Sequence, residues 1–304
     1  MRTVCILHGA NSSLKGTFMT DNKKPIGVFD SGLGGLSAVR VLKKILPDED
    51  IIYFGDTGRV PYGTRSDEII TKYALDDMNF LCSFGVKAVL VACGTVSSVA
   101  LGKLRESFDV PVMVVVDAAA KQACRLSQSK KVALLATNAT VKNGAYERYM
   151  SKNFEGYSFM GIGCPMFVPL VENGYIARDC KVTRIFCDEY ISALKEFSPD
   201  CIILGCTHYP IIKSIISDSA KELIGDVSIV DSGEQAAYEI KDFLARNGLL
   251  NDKRRKGSIK YFVSDETACF EQSASIFLGE RISDVTKIDI GDYYFNGKKR
   301  GTAQ

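Results

Sequence analysis

AVLVACGT, residues 88–95, is a nearly unbroken apolar run that ends on a thiol, and its reading decides the fold. A strand with one face in water alternates apolar and polar residues. A continuous Val/Leu run instead belongs to a strand buried on both faces, as in a parallel sheet covered by helices. The pattern recurs at 201–208, CIILGCTH, and at 26–32, IGVFDSG. Each time the chain leaves a buried strand and presents a polar or reactive side chain: Cys93, Cys206 and Asp30. LVACGT and ILGCTH echo each other, one in each half of the chain. That echo predicts two similar α/β units facing each other, each supplying one thiol to the cleft between them.

Working outward, the runs ending at these groups are expected as strands at 26–30, 88–93 and 201–206, joined by others at 51–55, 112–116, 132–137, 227–231 and 260–264. Stretches of helical period fill the intervals near 35–46, 66–84, 96–107, 117–128, 139–152, 179–197, 209–223 and 233–247. Ser66-Asp67-Glu68 reads as a helix start, with a capping hydroxyl followed by first-turn acids. Strand–helix alternation of this kind gives doubly wound α/β sheets, which bind ligands at the carboxyl ends of their strands.

With 304 residues, the chain has room for one large or two ordinary domains. A net charge of +2 gives no reason to expect nucleic acid or a membrane surface as partner, and no apolar run approaches the ~20 residues that span a bilayer. None of the ten cysteines forms a CxxC pair, and the only histidines are His8 and His208. A metal site of the usual spacing is therefore not expected. Cys82, Cys124, Cys180, Cys187 and Cys269 read as small buried hydrophobes of a reducing compartment.

Two thiols at opposed strand ends suit one reaction well. Inverting an amino acid's α-carbon needs a base on one face and a proton donor on the other. A thiolate and a thiol can exchange those roles when the direction reverses. A free thiol, with a pKa of about 8.5, is mostly protonated at neutral pH, and a helix N-terminus or a nearby cation raises the thiolate share. Both cysteines precede an expected helix, and no lysine stands out as a Schiff-base former for pyridoxal phosphate.

The ordered motifs IGVFDSGLGGLSAV (26–39), FGDTGRVPYGTRS (54–66), VACGTVSS (91–98), CPMFVPLVENG (164–174) and GCTHYP (205–210) resemble the glutamate racemases of the aspartate/glutamate racemase superfamily. The resemblance runs from about Pro25 to Asp289. It implies two α/β domains related by a pseudo-twofold, the second inserted into the first. The expected division is residues 25–116 with 229–290, and 117–228, with an N-terminal extension at 1–24 and a C-terminal tail at 291–304. It also implies cofactor-independent interconversion of L- and D-glutamate in the cytoplasm, supplying D-glutamate for peptidoglycan. A homodimer is compatible with it, since family members differ in assembly.

Carried over by position, the resemblance makes Cys93 and Cys206 the acid/base pair, the first serving D-glutamate and the second L-glutamate. Asp30 and Ser31 match the strand-end pair near the first thiol and the substrate amino group. Tyr62 and Gly63 match a loop that contributes to substrate binding, and Thr95 and Thr207 match groups that bind substrate carboxylate. His208 matches the histidine beside the second thiol, Glu172 a carboxylate that in some members orients it, and Thr137 and Thr140 side-chain carboxylate contacts. At Gly94 the family usually carries Asn. If only one polar contact is missing, Gly94→Asn should tighten substrate binding.

Other readings compete. Gly32-Leu33-Gly34-Gly35-Leu36-Ser37 follows a strand, and Asp56 lies about 20 residues on, close to a dinucleotide-binding fingerprint of an NAD-dependent oxidoreductase. Ser37 stands where that fingerprint needs its third Gly or Ala, and both cysteine motifs go unexplained. A non-enzymatic binder of acidic metabolites is a further class, and aspartate is the rival substrate within the racemases.

Overall fold

The computed structural model describes residues 21–252 and 255–297. Most of the extension expected at 1–24 and residues 298–304 of the expected tail lie outside the described residues, as does the side chain of Cys269.

Among the described residues, ten strands form two sheets. The first contains β1 (Ile26–Asp30), β2 (Ile51–Gly55), β3 (Ala88–Val91), β4 (Val112–Val114), β9 (Ile259–Val263) and β10 (Val285–Lys287), in the order β10-β9-β2-β1-β3-β4. The second contains β5 (Lys131–Ala136), β6 (Ser158–Gly163), β7 (Cys201–Leu204) and β8 (Ser228–Asp231), in the order β6-β5-β7-β8. Every pairing is parallel.

The apolar runs account for the first sheet's centre. All five residues of β1 are buried. Val28 and Leu90 enter one core, while their neighbours Phe29, Val89 and Val91 enter another. Adjacent residues of a strand point to opposite faces, so an unbroken apolar run is what a sheet with two packed faces requires. The first core continues into the second sheet through Ala133, Ile202 and Leu204. Helix Ser232–Arg246 packs on helices Leu36–Ile45 and Val115–Leu126, tying the two units together. No helix among the described residues is long and apolar enough to cross a membrane.

Several boundaries differ from expectation. The runs at 88–93 and 201–206 stop being strand at Val91 and Leu204, because the chain turns there to present the thiols. The helix expected at 139–152 is divided at Gly144, whose φ of +69° suits a residue without a Cβ. Strands β6 and β10 and helix Thr267–Leu278 carry no clear sequence signal. β6 is half-exposed and contains Gly161 and Gly163, and β10 has only three residues. β8 pairs with β7 in the second sheet, whereas the expected boundary at 228/229 cuts through it. Residues 291–297 are not a detached tail. Tyr293 packs edge-on against Phe80 at 4.8 Å, and Phe295 packs tilted against Phe108 at 5.0 Å.

The amino-terminal edge of the first sheet is fastened by a buried cation. Lys87, fully buried, donates to the carbonyls of Asn22 at 2.7 Å and Leu249 at 2.8 Å and pairs with the Glu49 carboxylate. Removing one member of a buried pair strands the other's charge. Lys87→Ala is therefore expected to cost about 3–5 kcal/mol in urea unfolding, and the double change Lys87→Met/Glu49→Leu distinctly less. Equal losses would show that the stranded Glu49 charge is not the source of the cost.

Candidate active site

Cys93 and Cys206 each lie two residues beyond a buried parallel strand, one from each sheet. Both are nearly buried. Cys93 is the N-cap of the short helix Gly94–Val99, and its thiol donates to Ser31 Oγ at 3.5 Å. Ser31 follows Asp30 at the end of β1, the strand beside β3. Asp30 is buried and accepts from the Gly32 amide at 3.0 Å.

The two sheets meet at their strand-end turns. A Cβ on Gly94 would stand 2.4 Å from the Gly205 carbonyl oxygen, a backbone atom that cannot swing aside. A Cβ on Gly34 would stand 2.0 Å from Thr207 Oγ1 and 2.7 Å from His208 Nδ1. Ser37 Oγ donates to the Thr207 carbonyl at 3.3 Å across the same junction. Bare backbone at 34 and 94 thus lets the turn bearing Cys93 abut the turn bearing Cys206. This changes the meaning of Gly94. An asparagine there does not merely supply an absent contact, because its first carbon collides with the opposite domain. The expectation of tighter binding in Gly94→Asn is withdrawn on that ground.

The electrostatics around the two thiols are of opposite kind. Burial, and then the neighbouring Asp30 charge, push the Cys93 thiol up to about 12. The helix start behind Cys93 was expected to favour thiolate, but desolvation wins, and Cys93 is a neutral thiol at neutral pH. Burial also raises the Asp30 carboxyl, against the pull of His208 and of the amides of Gly32, Gly35 and Ser31. On the other side, His208 Nε2 bonds Glu172 Oε1 at 3.0 Å, while Nδ1 lies 3.9 Å from Cys206 Sγ and 3.4 Å from Thr207 Oγ1. Burial disfavours the imidazolium, but Cys206 and Glu172 outweigh it and bring His208 to about 10. A protonated imidazole therefore stands beside Cys206 and a buried carboxyl group beside Cys93. One thiol is set to keep its proton while the other has a partner for a negative sulfur.

The remaining expected residues divide. Thr95, Thr140 and Thr207 are buried close to the junction, Thr140 Oγ1 standing 3.8 Å from the position of a Cβ on Gly94. Thr137 caps helix Asn138–Asn143 by accepting from the Thr140 amide at 3.3 Å, and the two hydroxyls are 3.0 Å apart. Gly63 faces Thr137, 3.9 Å from a Cβ placed on the glycine. Tyr62 behaves differently from the expected substrate contact. Its side chain is buried, and its hydroxyl donates to Asp56 and, at 3.1 Å, to Asp77. The Tyr62 hydroxyl is thus already engaged by two acids. Asp56, the acid of the dinucleotide reading, accepts from Arg59, Tyr62 and Ser264, and Gly34 is packed against Thr207. Neither is placed to hold a ribose or a pyrophosphate. Among the described residues, no group of three or more His, Cys, Asp and Glu side chains is arranged to hold a metal ion. In the sequence, Gly34 and Ser37 figure only in the dinucleotide reading and within a motif, and Arg59 only within a motif. Gly34 acts by lacking a side chain and Ser37 by a bond to a backbone carbonyl, which no motif of reactive groups reveals.

Residues 33–240 match the family described as Asp/Glu/hydantoin racemase. The chain is 38% identical over 267 residues to the glutamate racemase of Geobacter metallireducens, covering 88% of this chain and 97% of that one. It is 41% identical over 277 residues to the glutamate racemase of Thermoanaerobacter pseudethanolicus, covering 90% and 100%. Among solved structures it resembles the glutamate racemase of Francisella tularensis in complex with D-glutamate, with a TM-score of 0.82, 34% identity, and coverage of 90% of this chain and 100% of that one. The glutamate racemase of Thermus thermophilus in complex with β-chloro-D-alanine gives a TM-score of 0.78 at 39% identity, covering 90% and 99%.

The His208–Glu172 contact yields a direct test. Glu172→Gln removes a carboxylate that stabilises the imidazolium, so the His208 pKa, followed by ring-proton NMR, should fall from near 10 by about 1. An unchanged titration would mean that Cys206 alone holds the proton on His208.

Proposed function

The chain belongs to the Asp/Glu/hydantoin racemase family and is an amino-acid racemase; from that premise we propose that it interconverts L- and D-glutamate through Cys93 and Cys206, without a cofactor. The observation that carries the reading is the pair of near-buried thiols from separate sheets, one beside the Asp30 carboxylate and one beside the His208 imidazolium. The names of the similar proteins support glutamate as the substrate.

Starting from L-glutamate, Cys206 as thiolate removes the α-proton. The His208 imidazolium, held by Glu172, stabilises the negative sulfur before transfer. Cys93 as thiol delivers a proton to the opposite face, leaving its own sulfur charged. The high pKa of Cys93 keeps that proton available at neutral pH. From D-glutamate the sequence runs backwards, and Cys93 must first lose its proton, which burial opposes. Asp30 and Ser31 take the amino group. The hydroxyls and amides at Thr95 and Thr207 take the α-carboxylate, and Thr137 and Thr140 take the side-chain carboxylate, with the backbone of Tyr62 and Gly63 at the rim. The D-glutamate formed would enter peptidoglycan, and the enzyme would work in the cytoplasm.

Chiral chromatography of purified protein with each enantiomer of glutamate and aspartate tests this. Racemisation of glutamate is expected, with aspartate slower in kcat/KM by about 10-fold or more, the usual value of one methylene. Cys93→Ala and Cys206→Ala should each reduce turnover at least about 1000-fold, since either direction needs both groups. Gly94→Asn should lower kcat/KM because of the Gly205 carbonyl. Preference for aspartate would overturn the substrate, and a racemising cysteine variant would overturn the mechanism.

A further inference from the structure

At the carboxyl edge of the first sheet, beside the cleft, three carboxylates converge on one guanidinium. Arg59 Nε donates to Asp56 Oδ2 at 2.6 Å, Nη1 to Asp76 Oδ2 at 3.0 Å and Nη2 to Asp77 Oδ1 at 2.6 Å. Asp56, Asp76 and Asp77 are all buried. Each nitrogen of the planar fork thus serves a different acid, an arrangement open to Arg and closed to Lys, whose donors share one atom. The face of the guanidinium lies 4.2 Å from the centre of the Tyr73 ring, which in turn packs against Tyr62.

The cluster gathers separate parts of the chain. Asp56 follows β2 and also accepts from Ser264 Oγ beyond β9 at 2.7 Å. Ser264 Oγ accepts from the Gly58 amide at 2.8 Å, and the Asp265 amide donates to Thr57 Oγ1 at 3.1 Å. Asp76 and Asp77 belong to helix Asp67–Ser83, and Asp76 also accepts from the Phe295 amide at 3.0 Å. The Tyr62 hydroxyl closes the arrangement on Asp56 and Asp77. Tyr62 begins the turn Tyr62–Thr64, whose Gly63 faces Thr137 of the second sheet's unit. So the segment from Asp56 to Thr64 is held at its root by the acids and touches the other domain at its tip. Gathering three buried acids around one cation is costly unless all are bonded. Burial, followed by the Asp56 charge, raises the Asp77 carboxyl well above the ordinary range, which lessens the negative excess.

We propose that Arg59 is a positioning residue for the reaction: by gathering Asp56, Asp76 and Asp77 it fixes Tyr62, and through Tyr62 the turn that meets Thr137 and forms the rim of the substrate cleft. The proposal rests on the glutamate reading for its kinetic consequence but not for its structural one. The hydrogen bonds of the cluster include neither thiol. Loosening the rim therefore weakens contacts made alike in ground and transition state, which raises KM and leaves kcat nearly untouched.

The test uses the full chain as wild type, Arg59→Lys and Tyr62→Phe. Steady-state kinetics are measured in both directions, with amide hydrogen exchange by mass spectrometry over the peptide containing residues 57–65. Both variants are expected to raise KM for each enantiomer about tenfold, to change kcat less than about threefold, and to speed exchange in that peptide. Should Arg59→Lys fail to fold, Tyr62→Phe, which removes one hydroxyl and keeps the ring, carries the test alone. A lowered melting temperature with KM within twofold of wild type would show a merely structural cluster and overturn the proposal. A fall in kcat at constant KM would also overturn it, as would unchanged exchange. If wild type fails to racemise glutamate, the substrate reading fails, and the same comparison is made on the amino acid it does racemise: a raised KM with faster exchange upholds the positioning role, and an unchanged KM rejects it.

Discussion

Two strand-end turns can approach each other no more closely than their smallest side chains allow, and that constraint organises this molecule. Gly94 lies against the Gly205 carbonyl, and Gly34 against Thr207 and His208, with no space for a Cβ at either glycine. The parallel sheets are oriented so that the carboxyl ends of β3 and β7 meet at this junction. One core shared by both sheets and the packing of helix Ser232–Arg246 on helices from both units hold the arrangement. Bare backbone at these two positions lets the turns that bear the thiols abut.

Closeness alone would leave two equivalent sulfurs. The surroundings make them unequal. Cys93 shares its buried corner with Asp30, which opposes ionisation, whereas Cys206 has an imidazolium held by Glu172. Because burial removes water from both sites, each neighbouring charge acts at lower dielectric and counts for more than it would at the surface. This inequality favours Cys93 as the protonated thiol and gives Cys206 the cationic neighbour. His208 also packs edge-on against Phe277 of the first domain, at 5.1 Å, so the charge partner of the second thiol is positioned partly by the opposite domain.

Much of this was legible in the sequence. Strands whose two faces are both buried announce themselves as unbroken Val/Ile/Leu runs, and β1 and β2 appear within their expected limits. The reactive side chains at strand ends were legible for the same reason: a thiol or carboxylate directly after such a run has little choice but the sheet's edge. What escaped were features whose signal is weak or negative. β6 is half-exposed and carries two glycines, and β10 has only three residues, so no periodicity marks them. Gly94 reads as a lost amide until the facing carbonyl is seen. Tyr62 reads as a cleft residue from its motif, but its hydroxyl is taken by acids 6 and 15 residues away in sequence. Long-range polar clusters of this kind depend on which elements meet, which local pattern does not encode.

The central claim is that the two thiols act on opposite faces of one α-carbon. Racemisation of L-glutamate in heavy water, with product and remaining substrate separated by chirality at early times and their α-hydrogen content read by mass spectrometry, tests it most directly. A thiol exchanges its proton readily with solvent. Opposed thiols therefore predict that the first D-glutamate carries α-deuterium while the remaining L-glutamate stays protiated. Early D-glutamate that keeps its original α-hydrogen would mean one base serves both faces, and would contradict the account.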